Sequence, residues 1–101
     1  DAHKLEQFKD KKNRVWIDDS KATNVDATIQ ALKTYKHKKI FLILGGDDKG
    51  ADLKPLFEKL QYYNVEIYSI GSNAKRLKEL SVSYNIVCVV SDLLENAVAS
   101  I

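Results

Sequence analysis

Hydrophobic and polar positions follow different periods in successive segments of the chain, and each change of period predicts a new element. Residues 4–9 alternate weakly, residues 10–13 form a polar turn, and an apolar stretch follows at 15–17. This pattern predicts a β-hairpin whose second strand enters the core. A helix is predicted next, with Asn24 as its N-cap. Its apolar face is formed by Val25, Ile29 and Leu32.

The rest of the chain repeats a strand–helix unit. The run 40–44 is apolar at every position and ends at Gly45, which is typical of a strand buried on both faces of a parallel sheet. Further strands are predicted at 65–70 and at 86–90, the second of them short and buried, and a helix follows each of the three strands. Pro55 falls in the first turn of its helix, where a missing N–H costs little. The three helices are marked by Leu53, Leu56, Phe57 and Leu60, then by Ala74, Leu77 and Leu80, then by Leu93, Leu94, Ala97, Val98 and Ile101.

The order of these elements, a hairpin followed by α-β-α-β-α-β-α, predicts one α/β domain over residues 1–101. Strands that alternate with helices form βαβ units with right-handed crossovers. The pattern therefore predicts a three-layer, Rossmann-like sandwich with a mainly parallel sheet and an N-terminal β-hairpin. Because the chain stops within or just after its last predicted helix, we expect the domain to be incomplete at its C-terminal end.

Composition and charge narrow the classes of function. The chain has 45% hydrophobic and 30% charged residues, and its 16 basic and 14 acidic residues give a net charge of only +2. This balance predicts a soluble domain without a nucleic-acid or membrane partner. We see no signal peptide or long apolar segment, and expect a cytoplasmic protein. The single Cys88 is expected to be a buried thiol, and no metal site is expected because His3 and His37 lack a ligand pattern.

Two polar loops follow strands at the edge of the sheet where α/β proteins bind their ligands. The loop 18–24 follows the first core strand, and the loop 45–50 follows the most buried strand. If these strands are neighbours, Lys21 and Lys49 converge beside the free N–H groups of the helix that starts near Asn24, which favours a carboxylate or phosphate site. A plain turn with solvated lysines explains the same composition equally well.

The same loops resemble the motifs of a known family. Residues 15–24, VWIDDSKATN, resemble the (I/V)-(N/D)-D-(S/T)-K-A-T-N signature of the D-glutamate-adding members of the Mur ligase family. Residues 44–52, LGGDDKGAD, are similar to their L-G-G-x-x-K segment. Other Mur ligases have a D-Y-x-H/N-x-P type of sequence at the first loop, so this loop distinguishes members by substrate. The resemblance covers essentially the whole chain.

The resemblance implies the C-terminal domain of an ATP-dependent ligase of peptidoglycan precursor synthesis. In the similar enzymes ATP, with Mg²⁺, phosphorylates the alanyl carboxylate of UDP-N-acetylmuramoyl-L-alanine, and the amine of D-glutamate attacks the acyl phosphate. The N-terminal and central domains, of which the central one binds most of the ATP, lie outside this chain. We therefore expect the chain alone to be inactive and to hold no cofactor tightly.

The resemblance also implies roles for individual residues. Lys21 is expected near the transferred phosphate as the catalytic residue, and Thr23 and Lys49 are expected to hold the carboxylates of D-glutamate. Asp19 is expected to contact the ATP ribose, and Lys4 stands where the usual P-H-R-x-E segment has a nucleotide-binding arginine. The supporting loop positions are Ser20, Asn24, Gly45 and Gly46.

Two other functions remain open at this point. A stand-alone α/β module that binds a small acidic ligand would carry the same polar loops. The C-terminal domain of folylpolyglutamate synthetase shares the architecture, although its first loop fits D-S-K-A-T-N poorly.

Overall fold

Strands and helices alternate along the chain as the apolar pattern predicts. The computed structural model describes residues 6–9, 12–21, 24–45 and 52–91. Its elements are the strands β1 (Glu6–Lys9) and β2 (Val15–Asp19), the helix α1 (Val25–Thr34), β3 (Ile40–Leu44), α2 (Lys54–Leu60), β4 (Val65–Ser69), α3 (Ala74–Ser83) and β5 (Cys88–Val90). The α/β class and the N-terminal hairpin are confirmed. The last predicted helix, over 93–101, lies outside the described residues.

The five strands form one sheet in the order β1-β2-β3-β4-β5. β1 pairs antiparallel with β2, and every other pair is parallel. The last residues of the parallel strands are paired in register, with Asp19 beside Leu44 and Leu44 beside Ser69. The carboxyl ends of β2, β3 and β4 therefore reach the same edge of the sheet, which is the edge where ligands bind in such folds.

α1, α2 and α3 pack against one face of the sheet. Neighbouring strands in sequence order, joined by right-handed crossovers, place each connecting helix on the same side. The described elements thus supply two layers of the predicted sandwich. The core between these layers is formed by Val15, Ile17, Ala31, Leu32, Ile40, Leu42, Leu44, Leu53, Leu56, Phe57, Leu60, Val65, Ile67, Leu77 and Cys88.

Aromatic side chains cover part of the opposite face. The ring of Trp16 stacks on Phe41 with 4.7 Å between centroids and tilts against Tyr68 at 5.3 Å. The guanidinium group of Arg14 lies 5.0 Å from the centroid of the Phe41 ring. Ring pairs of this kind contribute about 0.5–1.5 kcal/mol each beyond the area they bury. Trp16 is therefore a packing residue of this face.

β5 differs from its prediction in length and in burial. It begins at Cys88 instead of residue 86, and Val89 and Val90 are 43% and 46% exposed. The reason is the strand order, since β5 is the last strand of the described sheet. Cys88 is buried as predicted, and its thiol lies 3.4 Å from Ser69 Oγ.

Candidate anion site at the carboxyl ends of β2 and β3

The candidate site lies where the chain leaves β2 and β3. These strands are direct neighbours and parallel, so the loops after Asp19 and Leu44 start side by side. This geometry meets the condition on which the sequence prediction of a shared anion site depended. Thr23, Gly46 and Lys49 lie outside the described residues, as does Lys4, so the convergence of Lys21 and Lys49 stays a prediction.

Asn24 begins α1 as predicted. Its side-chain oxygen accepts a hydrogen bond from Ala27 N at 3.0 Å, and its backbone is extended, with φ −115° and ψ 101°. Such a cap satisfies an N–H group that has no partner within the helix. Asp26 in the first turn complements the positive end of the helix dipole. The amino end of α1 is therefore fixed at the carboxyl edge of the sheet.

Asp18 closes a tight turn directly after β2. Its Oδ1 accepts hydrogen bonds from Ser20 N at 3.0 Å and from Ser20 Oγ at 2.5 Å. Both side chains are buried. An aspartate that bonds the backbone two residues ahead forms a local turn of its own. The Ser20 hydroxyl is thus bound to Asp18 within the domain, and its supporting role in a ligand site stays a prediction.

Asp19 anchors the other end of the same loop. Its Oδ2 accepts a hydrogen bond from Thr28 Oγ1 at 2.6 Å, and its Oδ1 lies 3.4 Å from Asn24 N. Burial raises the pKa of the Asp19 carboxyl to about 6, and the charge of Asp18 adds to the rise, whereas the bonds from Thr28 and Asn24 oppose it. The residue is only 4% exposed, and each of its carboxylate oxygens has a hydrogen-bond partner within the domain.

Lys21 is an exposed residue of this loop, and the only charged one among its described exposed residues. It lies in a bend between the turn held by Asp18 and the helix start held by Asp19. A lysine is a compact point charge that suits a carboxylate or a phosphate. Lys21 directly follows the turn that Asp18 closes, so its backbone is held near the carboxyl edge of the sheet, and its role in binding stays a prediction.

Gly45 is required by packing. A Cβ atom at this position would lie 2.5 Å from Ile70 Cγ1 and 2.6 Å from Ile70 O. Leu44 O accepts the hydrogen bond from Ile70 N at 2.9 Å, which holds the two chain segments together. The sequence analysis names Gly45 as a supporting position of the loop, and the structure shows that its backbone closely approaches the segment after β4.

Thr28 is the residue of this site that the sequence prediction did not single out. It is 0% exposed and lies on the buried face of α1, between Val25 and Leu32 in the apolar stripe. A polar residue at a core position of a helix needs a hydrogen-bond partner, because burying an unpaired hydroxyl is unfavourable. A polar residue within the apolar stripe of α1 was therefore the sequence signal that could have identified Thr28.

The described residues contain neither a metal-binding cluster nor a membrane-spanning helix. Within the described ranges, no three or more histidine, cysteine, aspartate or glutamate side chains are grouped so that they could hold a metal ion. A search of the same part of the chain finds no helix with the length and apolar character needed to span a membrane.

The fold and the position of these polar loops define an α/β domain of the kind that binds ligands at the carboxyl edge of its sheet. The sequence matches the model of one such family. The family model of the Mur ligase glutamate ligase domain matches residues 5–100, and the chain belongs to this family.

The chain is also similar to individual proteins of this family. The chain is 54% identical over 100 residues to a protein of Helicobacter pylori strain J99, covering 99% of this chain and 24% of that protein. It is 43% identical over 101 residues to a protein of Campylobacter jejuni, covering 100% and 25%, and 33% identical over 95 residues to one of Haemophilus ducreyi, covering 93% and 22%. All three are named UDP-N-acetylmuramoylalanine–D-glutamate ligase. The chain thus spans about a quarter of the length of these relatives. No solved structure matches it.

Proposed function

We propose that this chain is the C-terminal domain of a longer ATP-dependent ligase, which joins D-glutamate to UDP-N-acetylmuramoyl-L-alanine in peptidoglycan precursor synthesis. The observation that carries the proposal is the loop D-S-K-A-T-N, anchored at the carboxyl edge of the sheet by Asp18 and Asp19. The names of relatives that match the chain over 99% of its length support the same substrate. We expect a ligase that consumes ATP for this synthesis to work in the cytoplasm.

The chemistry needs positioned positive charge. In the proposed reaction the alanyl carboxylate attacks the γ-phosphorus of ATP and ADP leaves. The amine of D-glutamate then attacks the carbonyl carbon of the acyl phosphate, so that the amide C–N bond forms and phosphate leaves. Lys21, exposed on its anchored loop, is proposed to stabilise the negative charge on the transferred phosphoryl group. Its contribution depends on a preset position, because catalysis of this kind rests on orientation and electrostatics.

Mg²⁺ and the phosphates of ATP are proposed to be bound mainly by the domains outside this chain. When bound, Mg²⁺ would neutralise phosphate charge during transfer. In the described sequence the acidic side chains nearest Lys21 are Asp18 and Asp19, and both accept hydrogen bonds within the domain, which supports a Mg²⁺ site formed mainly elsewhere. The proposed role of this domain is therefore to deliver D-glutamate and Lys21 to a nucleotide that is held mainly by the other domains.

The remaining contacts are proposed from the resemblance. Thr23 and Lys49 hold the two carboxylates of D-glutamate, and Lys4 contacts the nucleotide. A ribose contact by Asp19 would use Oδ1, whose bond to Asn24 N is long at 3.4 Å and leaves an acceptor position for a ribose hydroxyl.

Kinetics of the longer ligase test this function. Lys49→Ala and Thr23→Ala should each raise the KM for D-glutamate by about tenfold or more, because each removes a charged or polar contact to a carboxylate. Lys59→Ala is the matched control, since Lys59 is exposed in the last turn of α2, at the opposite end of the sheet. An unchanged KM in both site variants would favour a stand-alone module that binds another small acid.

A further inference from the structure

Thr28 and Asp19 form a buried contact that spans β2 and α1. Thr28 Oγ1 lies 2.6 Å from Asp19 Oδ2 and 2.9 Å from Asn24 O, and the Thr28 side chain is 0% exposed. We propose that Thr28 is a positioning residue of the ligase: its hydroxyl holds Asp19, and Asp19 holds the loop 20–24 so that Lys21 is presented to the phosphoryl group. This inference rests on the function proposed above.

The contact is specific to a hydroxyl. Thr28 Oγ1 has one hydrogen and two neighbouring oxygens. When Asp19 is ionised, the hydrogen points to the carboxylate, and 2.6 Å is the length of a charge-assisted bond. When Asp19 is protonated, it donates to Thr28, whose own hydrogen then turns to Asn24 O. Only a group that both donates and accepts satisfies the two states, and serine and threonine have such a group.

The loop depends on this contact through a short series of bonds. Asp19 accepts from Asn24 N across the loop, and Asn24 in turn caps Ala27 N. Without the Thr28 hydroxyl, the 3.4 Å bond to Asn24 N would be the one bond that the described residues give the buried Asp19 carboxylate. An underbonded buried carboxylate turns toward solvent or takes up a proton. Either change releases the second anchor of the loop that carries Lys21.

A threonine in a helix often bonds the carbonyl four residues before it, which by itself implies no function. Thr34, in the last turn of α1, makes that bond on the exposed surface, from Oγ1 to Gln30 O at 3.0 Å, and has no bond to a carboxylate among the described residues. Thr28 makes the same type of bond to Asn24 O and adds the contact with Asp19. Thr34 is therefore a matched control within the same helix.

Three variants of the longer ligase test the proposal. Thr28→Val keeps the branched shape and removes the hydroxyl, Thr28→Ser keeps the hydroxyl, and Thr34→Val removes the control hydroxyl. We expect Thr28→Val to lower kcat by between about 10- and 100-fold, the range expected for a small misplacement of a catalytic group. The KM for UDP-N-acetylmuramoyl-L-alanine should stay within about twofold, because the contacts that bind this substrate are made by other residues and do not change. Thr28→Ser and Thr34→Val should keep kcat within about threefold of the parent.

Hydrogen–deuterium exchange on the same proteins gives a readout that does not require activity. Thr28→Val should increase exchange in peptides that cover residues 18–25, and Thr34→Val should not. The proposal is overturned if Thr28→Val leaves both kcat and exchange unchanged, or if Thr28→Ser is as damaged as Thr28→Val, which would indicate a role in packing alone. If the parent protein forms no D-glutamyl product, the proposed function fails, and the exchange result still decides whether Thr28 holds the loop.

Discussion

Asp18 and Asp19 are adjacent in sequence, and their carboxylates anchor opposite ends of one loop. Asp18 accepts hydrogen bonds from Ser20, at the start of the loop, whereas Asp19 accepts one from Asn24, at its end, and one from Thr28 in α1. Successive side chains of a strand point to opposite faces, so neighbouring acids can serve different partners without competing for them. This division leaves Lys21, between the anchors, as the exposed charge of the loop.

The raised pKa of Asp19 predicts an unusual dependence of stability on pH. An unfolded aspartate titrates near 3.8, whereas the folded carboxyl has a pKa of about 6, so between these values the folded state binds more protons. The free energy of unfolding should then fall as pH rises from about 4 to about 6, with roughly 3 kcal/mol as the upper size of the effect, and change no further from this group above that window.

Asp19→Asn isolates this effect, because a carboxamide resembles the protonated acid and can donate to Thr28 Oγ1. Urea denaturation of the parent and the variant should give similar stabilities near pH 4. At pH 8 the variant should be the more stable, by about 1–3 kcal/mol. A difference that does not vary with pH would contradict the burial of a titrating carboxyl at this position.

Removing the cap of α1 should cost about 1 kcal/mol of stability in Asn24→Ala, because Ala27 N loses the oxygen that it donates to. Asn24→Ser retains an oxygen acceptor and should recover most of the loss. Equal stabilities for the two variants in thermal unfolding would mean that the cap contributes nothing.

The features of this fold that could be predicted from the sequence are those set by residues close together in the chain. The apolar run 40–44 is buried at every position as β3, Asn24 caps α1, and Pro55 lies in the first turn of α2. Each of these depends on a residue and its near neighbours in sequence, as caps, turn residues and periodicity do.

The features that sequence reasoning missed depend on contacts between distant segments. Gly45 is needed because the chain after β4 passes against it at Ile70, and Val89 is exposed because β5 ends the described sheet. The bond between Thr28 and Asp19 joins a helix to a strand across a loop. Periodicity identifies the buried face of an element but not the element that it packs against, so these contacts could not be predicted from the sequence.

Gly45→Ala should destabilise the chain by about 1–3 kcal/mol, since a Cβ inserted into a packed site forces its neighbours to move. The nearest atoms include Ile70 O, a backbone atom that would lie 2.6 Å from the added Cβ. Shortening the side chain with Ile70→Ala should therefore not restore stability to Gly45→Ala. Urea denaturation of both single variants and the double variant measures this coupling, and complete recovery in the double variant would place the clash in the Ile70 side chain instead.

Lys21→Ala tests the proposed catalytic charge in the longer ligase. Because Lys21 is exposed, its removal should leave the thermal unfolding temperature within about 2 °C of the parent. If its ammonium group stabilises the transferred phosphoryl group, kcat should fall by about 10²–10³-fold with a smaller change in the KM for D-glutamate, as for other groups that act mainly in the transition state. Lys33→Ala, which removes an exposed lysine from α1, is the control and should retain full activity. A kcat that survives Lys21→Ala while the KM for D-glutamate rises would move Lys21 from the phosphoryl group to the amino-acid carboxylates.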